Sequence, residues 1–406
     1  MQLSGLLGSA LSFVIRSVFK KTELPFLIVL NNKEEAAYYL NDLEQMIGEQ
    51  DVLFYPGSFR RPYQIEETDN ANVLLRAEVL NRINSRKKPA IIVTYPEALF
   101  EKVVTRKELD KNTLKVAVGD KISIDFINEV LFEYEFKRVD FITEPGEFSV
   151  RGGIVDVFSF SNDNPYRIEF FGDEVESIRT FDVATQLSIE TQKKITIIPN
   201  VENKFFQENR ESFLDYISAK TVIFIQNTED FLSQLDKQFG KAEEAFAKLS
   251  QEIKRSSPEQ LFLNQAEFIK RALDFSIVEL SSKAIFRTTK KFEFHIQPQP
   301  SFNKQFDLLL NNLNENHFNG YKNHLFCSND AQAKRFHDIF ETLDEANSEN
   351  IRKQYHTVVL PLFQGFIDEE NQITCYTDHQ IFERYHKFSI KNGYSKKQNI
   401  TLKELT

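Results

Sequence analysis

Apolar positions recur along the first 112 residues in two alternating rhythms. Residues 6–19 and 33–47 carry them at helical spacing, as do 71–83, whereas FLIVL (26–30) and AIIVT (90–94) are unbroken apolar runs of strand length and VLFYP (52–56) is a strand closed by proline. Strands that are apolar throughout are buried on both faces, so this alternation predicts a parallel sheet covered by helices on each side. The rhythm returns after residue 202. TVIFI (221–225) reads as a buried strand, 230–239 as an amphipathic helix, and 241–253 and 258–272 as charged helices.

Between these two legs the period changes to 2. IVDVF, YRIEFF and VESIRTF read as short strands of a twisted meander, broken by turn residues at Gly152-Gly153, at 161–165 and at Gly172-Asp173. Alternation within YRIEFF sends Tyr166, Ile168 and Phe170 to a core and Arg167, Glu169 and Phe171 to the opposite face. Arg151, read at a strand start, is placed to join them. Arginines beside a large aromatic on an outward face have the composition of a protein-binding hot spot. The plainer alternative folds Phe171 under the following turn and leaves the arginines to solvate the sheet.

A strand, a turn at Gly119-Asp120 and a helix lead into this meander, and ITIIPN (195–200) closes it. The two spaced prolines of IQPQPSFNK (296–304) mark a linker. A smaller α/β unit follows: a helix over 307–315, strand HLFCS, a helix over 331–343, strands HTVVLPL and ITCYT, and helical QIFERYHKF. The expected division is an α/β domain in two legs, 1–112 and 202–295, with a strand-rich insertion over 113–201 and a small α/β domain with its tail over 305–406. Insertion at a surface loop leaves the host core intact.

The charge balance narrows the function. The 406 residues carry 60 acids against 50 bases, a net charge of -10 that opposes a sequence-independent grip on nucleic acid. Residues 144–182 alone hold nine acids and three bases, which suits a basic protein partner and not a phosphate. Cys327 and Cys375 form neither a metal spacing nor a disulfide framework, as fits a reducing cytoplasm. Six of the seven histidines, at 317, 324, 337, 356, 379 and 386, lie in the last unit without ligand spacing, so no metal is expected. LSFVIRSVF is interrupted by Arg16 and is too short to span a bilayer, and a cytoplasmic location is expected.

The α/β pattern raises the question of a nucleotide. A phosphate loop needs glycines for backbone approach, a lysine for charge and a hydroxyl for magnesium. GLLGSALS (5–12) opens a helix at the right spacing, but Ala10 stands at the last glycine and Leu11 at the lysine, leaving Ser12 alone. No complete G-x-x-x-x-G-K-[ST] occurs in the sequence. DEVE (173–176) is similar to a magnesium-binding acidic box, yet it follows a turn inside the meander and not a phosphate loop.

The same residues carry a family likeness. PGEFSVRGGIVDVF, PYRIEFFGDEVESIRTFD and the Thr185-Gln186 that follows strongly resemble the N-terminal, UvrB-like module of the bacterial transcription-repair coupling factors (Mfd), and more distantly UvrB. SGLLGSA, FYPGS (54–58), ANVLLRAEVL, AIIVTYPEAL and TDHQIFERY extend the resemblance more loosely.

The resemblance implies a degenerate, P-loop-like parallel-sheet domain with an inserted, mostly β domain that recruits UvrA by mimicking UvrB, without catalysis or cofactor. It assigns UvrA binding to Arg151, Arg167 and Phe171. It also implies that the chain is an N-terminal fragment of an ATP-dependent DNA translocase, with TLKEL lying just before the domain that binds RNA polymerase. RNA polymerase and DNA would then be partners of regions beyond this chain, and a C-terminal domain of the same protein would cover the UvrA face. UvrB's long hydrophobic hairpin insert has no counterpart after Tyr95. Two alternatives stay open: a structural or autoinhibitory module making intramolecular contacts, and a weak nucleotide- or DNA-binding module in which the α/β domain retains a working site; Lys193-Lys194 and Lys290-Lys291 are read as solvated surface.

Overall fold

The computed structural model describes residues 1–58, 70–85, 88–200, 210–248, 256–343 and 354–384. The expected helix beyond residue 384, the TLKEL tail and residues 249–253 lie outside them.

Both legs contribute to one seven-stranded sheet, in the order Lys291–Glu293, Gln2–Ser4, Ser276–Leu280, Val222–Gln226, Phe26–Val29, Ile91–Thr94, Val52–Phe54. Every neighbouring pair is parallel. Phe26 to Val29 occupy an interior position with helices on each side, and all four are completely buried, which is why that run is apolar without interruption. Gln2–Ser4, Ser276–Leu280 and Lys291–Glu293 are strands the apolar pattern does not reveal. They lie toward one edge, where Lys291–Glu293 is exposed, while the buried Gln2 and Glu279 side chains are satisfied by backbone partners, the Ser281 carbonyl for Gln2 and the Ile285 and Phe286 N–H groups for Glu279.

Three helices differ from the sequence reading. The first, α1 (Ala10–Thr22), starts four residues later than its apolar spacing suggests. Gly5 and Gly8 hold φ of 76° and 53°, and a Cβ on Gly5 would meet the Phe294 carbonyl oxygen at 1.9 Å, so the chain must loop before it can coil. The helix Thr228–Ala247 runs straight through Gly240, joining two expected helices. By contrast 258–272 is split into Pro258–Leu261 and Gln265–Ala272, because Phe262 stacks on Phe100 at 4.5 Å and the Asn264 side chain caps the second helix at Glu267 N–H.

The insertion is a six-stranded sheet, wider than the three strands read from sequence: Ser188–Gln192, Glu174–Phe181, Tyr166–Phe171, Ile154–Val157, Glu147–Arg151 and Lys137–Arg138. It is antiparallel except for its last pair. The inner face carries Phe148, Val155, Val157, Ile168, Phe170 and Ile178, all buried with Ile127 and Leu131 of the helix Ile124–Glu133 in one core. Leu114–Ala117 pairs with Lys194–Ile197 at the base of the insertion.

The third sheet orders Ile296–Pro298, Phe366–Asp368, Ile373–Thr377, Lys322–Cys327 and Tyr355–Val359. Ile296–Pro298, inside the stretch expected to be a linker, is therefore an edge strand, paired antiparallel to Phe366–Asp368. Proline is admitted there because an edge need not donate on both sides. Among the described residues no helix is long and apolar enough to cross a membrane.

Candidate functional site

Two glycine turns set the outward face of the inserted sheet. Gly152 (φ 60°) and Gly172 (φ 62°) take the first position of two-residue hairpin loops, a conformation that favours glycine. Tight turns fix register, and register decides which side chains share a face. Ser149, Asp156, Arg167, Arg179 and Thr191 lie directly opposite one another across five adjacent strands, forming a polar row.

At the centre of the row is Asp156, whose side chain is only 2% exposed. Arg167 donates from Nε to Oδ1 at 2.7 Å and from Nη2 to Oδ2 at 2.8 Å, a bidentate fork. Arg151 donates from Nη2 to Oδ2 at 2.5 Å. Hydrogen bonding to Asp156 raises the Arg167 pKa, so that guanidinium stays charged at every working pH. Its plane lies over the Phe181 ring, 4.4 Å from the centroid, and Nη2 also reaches Gln186 Oε1 at 3.4 Å. Arg167 is thus held on three sides. Arg179 pairs through Nη2 alone with Glu169 Oε1, and Ser177 Oγ donates to the other carboxylate oxygen.

The three residues expected to form the site lie on this one face, in differing surroundings. Arg151 is at the end of Glu147–Arg151, not at a strand start, and its side chain is 41% exposed with the guanidinium 5.4 Å from the Phe141 ring. Arg167 is mostly covered, at 16%. Phe171 closes its strand at the hairpin tip and is 80% exposed, which overturns the alternative that it folds under the turn. Strand parity holds throughout Tyr166–Phe171 despite a bulge after Glu169, since Tyr166, Ile168 and Phe170 are buried. Sequence reasoning missed Asp156 and Phe141. Asp156 had a signal, an acid at an outward position of IVDVF, but its cross-strand neighbours follow only from the register.

The loop that resembles a phosphate site has the expected strand–loop–helix order, with residues 5–9 between Gln2–Ser4 and α1. Its amide ligand is the protein itself. Ser9 N–H donates to the Gln364 carbonyl at 3.0 Å, and Gln364 N–H returns a bond to Ser9 Oγ at 3.0 Å. Phe363 N–H donates to Asp42 Oδ1 at 2.8 Å, and Ser12 Oγ to Asp42 Oδ2 at 3.3 Å. Asp42 comes from α2 (Lys33–Ile47) and is fully buried, and burial pushes its carboxyl up to about 7. Ala10 and Leu11, at the positions of the missing glycine and lysine, are both buried. DEVE lies at a hairpin of the inserted sheet, where the Asp173 carbonyl accepts from Ile122 N–H and the Glu174 backbone pairs with that of Lys121 in an isolated antiparallel bridge.

Comparison with known proteins adds a family context. Residues 114–203 match the family described as the UvrB interaction domain. The transcription-repair-coupling factor of Bacillus subtilis is 34% identical over 218 residues, 53% of this chain and 18% of that protein. Its namesake from Rickettsia bellii is 30% identical over 204 residues, 50% of this chain and 18% of that protein. The one from Escherichia coli is 24% identical over 197 residues, 48% of this chain and 17% of that protein. The chain is thus similar over about half its length to transcription-repair-coupling factors and spans less than a fifth of the length of these relatives.

Proposed function

We propose that this chain is a non-catalytic adaptor of transcription-coupled nucleotide excision repair, which recruits UvrA through the outward face of its inserted sheet. The observation that carries this reading is the pairing of two arginines on one buried carboxylate, on the same sheet face as an exposed phenylalanine. A side chain of that size left in water contributes nothing to folding, whereas at an interface it is a typical anchor. Arg167 spends Nε and Nη2 on Asp156, which leaves Nη1 for a carboxylate of the partner. A charge held in position before contact loses little entropy on binding. The match of residues 114–203 to the UvrB interaction domain names the partner to test first.

Within the same proposal, residues 1–112 and 202–295 form the host domain, 113–201 the UvrA-binding insertion and 305–406 a small domain. RNA polymerase and DNA are partners of the whole coupling factor, as is the C-terminal domain proposed to cover this face. The lack of a lysine in 5–12 and the burial of Leu11 in its place support the absence of nucleotide chemistry.

Calorimetry with purified UvrA tests the reading. The wild-type chain is expected to bind, and the folded Arg151→Ala, Arg167→Ala, Phe171→Ala triple variant is expected not to. Undiminished binding by that variant would move the interface elsewhere, and no binding by the wild type would leave a structural module.

A further inference from the structure

We infer that His324 and His356 form a chelating site for an imidazole-seeking divalent transition metal, of the zinc and nickel class, which ties the edge strand of the third sheet to its neighbour. The two residues face each other directly in the parallel register of Lys322–Cys327 and Tyr355–Val359, so both side chains project from the same face of the sheet. Their rings stand 5.7 Å apart between centroids and are tilted by 31°. A zinc–nitrogen bond of about 2.1 Å places each ring centroid about 3.2 Å from the metal, and a tetrahedral angle then separates two such rings by about 5.2 Å. A small side-chain rotation closes the difference. Only the strand register creates this pair, which is why the histidine spacing predicts no metal.

Neither ring has another use. Among the described residues no hydrogen bond reaches a ring nitrogen of His324 or His356, in contrast to His337, which meets the Tyr355 hydroxyl, and His295, which meets Glu370. Burial, together with His356 and Lys322, holds the His324 pKa below its ordinary value, so its ring is neutral at pH 7, the form that ligates. His324 is partly buried and His356 exposed, which opens the pair to an ion from solvent.

The surroundings limit the set to two protein ligands. Cys375 lies beside His324 in the register of the other flanking strand, but its thiol is buried, and burial pushes it up to about 12, so it stays protonated. No group of three or more His, Cys, Asp or Glu able to hold a metal occurs among the described residues, so water takes the remaining positions. Two neutral nitrogens without a carboxylate select zinc, nickel or copper over magnesium, which seeks oxygen. Tyr355–Val359 is the last strand of its sheet, paired among the described residues with Lys322–Cys327 alone, and a shared metal fastens it there.

Calorimetric titration of the full 406-residue chain with zinc chloride and, separately, nickel chloride at neutral pH tests the site. One equivalent of either metal is expected to bind and to raise the melting temperature, and magnesium chloride is expected to do neither. His356→Ala removes one ligand from an exposed position and should weaken binding by about tenfold or more, since the second imidazole of a chelating pair acts at high effective concentration. His324→Gln should do the same. His317→Ala, at an exposed histidine of the helix Phe306–Phe318, should leave binding unchanged. The melting temperatures of the metal-free variants, expected close to wild type, separate loss of a ligand from loss of the fold. No binding by the wild-type chain would overturn the site, as would binding that survives both His356→Ala and His324→Gln, which would place the metal on other side chains.

Discussion

Arg167 and Asp156 face each other across two antiparallel strands and meet in a two-bond fork, at 2.7 and 2.8 Å. Asp156 is the positioning residue of the face. It orders both Arg151 and Arg167 while being too deeply buried to reach a partner itself.

Asp156→Ala should therefore cost twice. Removing one member of a buried pair leaves the other charge uncompensated, a loss of about 3 kcal/mol in stability. It should also lower UvrA affinity about as much as Arg167→Ala does, although Asp156 makes no contact with the partner. Asp156→Asn separates the two effects, since the amide keeps one acceptor and fills the same space. A melt within a few degrees of wild type together with weakened binding is the expected result, and full binding by the folded Asn variant would show that the arginines need no ordering.

Phe171 and Phe141 are exposed aromatic side chains of the inserted part of the chain, 80% and 64% exposed. Replacing either with alanine removes no core contact, so the unfolding free energy should hold within about 0.5 kcal/mol. Phe171→Ala should weaken UvrA binding by about 2 kcal/mol, roughly thirtyfold. Phe141→Ala should also weaken it, because the Phe141 ring supports the Arg151 guanidinium at 5.4 Å. A binding isotherm for Phe141→Ala that superimposes on wild type would confine the surface to the hairpin tip.

Glycines give a contrast in stability. Gly5→Ala would drive a methyl into the Phe294 carbonyl, at a backbone angle that disfavours any side chain, and should cost several kcal/mol, about 3 or more. Gly240, inside the helix Thr228–Ala247, has open space where a Cβ would sit, so Gly240→Ala should stabilise by about 0.5–1 kcal/mol. Chemical denaturation of the two variants side by side reads both signs.

These two glycines also mark what the sequence could tell. Interior strands were legible, because Phe26 to Val29 are apolar at every position and nothing but burial on both faces demands that. Outward residues of Tyr166–Phe171 were legible too, since parity needs only local information. Leu6 to Ser9 were misread as helix: their spacing is helical, and what stops them is the Phe294 carbonyl, nearly 290 residues away, which no local pattern encodes. The partner of Ser9 is more distant still, with Gln364 lying 355 positions along the chain. Asp156 was passed over because a lone acid in a short strand reads as solvated surface until the neighbouring strands bring two arginines to it.

Asp42, which accepts from Phe363 N–H, makes the stability of the chain dependent on pH. Its carboxyl is raised from an ordinary 3.8 to about 7 because burial outweighs the donors from Ser9, Phe363 and Ser12. Between those values the folded chain holds a proton that the unfolded chain has released, so this group's contribution is full below about pH 4 and is lost as pH rises through 7. Other groups face the same contact. Tyr39 and Glu35 lie on α2, and Tyr39 stays neutral in this range, since burial and the nearby acids push its hydroxyl far above neutrality. His379 donates to the Phe363 carbonyl, but burial lowers its pKa, so its contribution is lost on acidification and opposes that of Asp42. The difference between wild type and Asp42→Asn isolates the carboxyl. That difference in unfolding free energy should shift against the wild type by on the order of 3 kcal/mol from pH 4 to pH 8. A difference independent of pH would mean that Asp42 is ionised throughout, its three donors outweighing its burial.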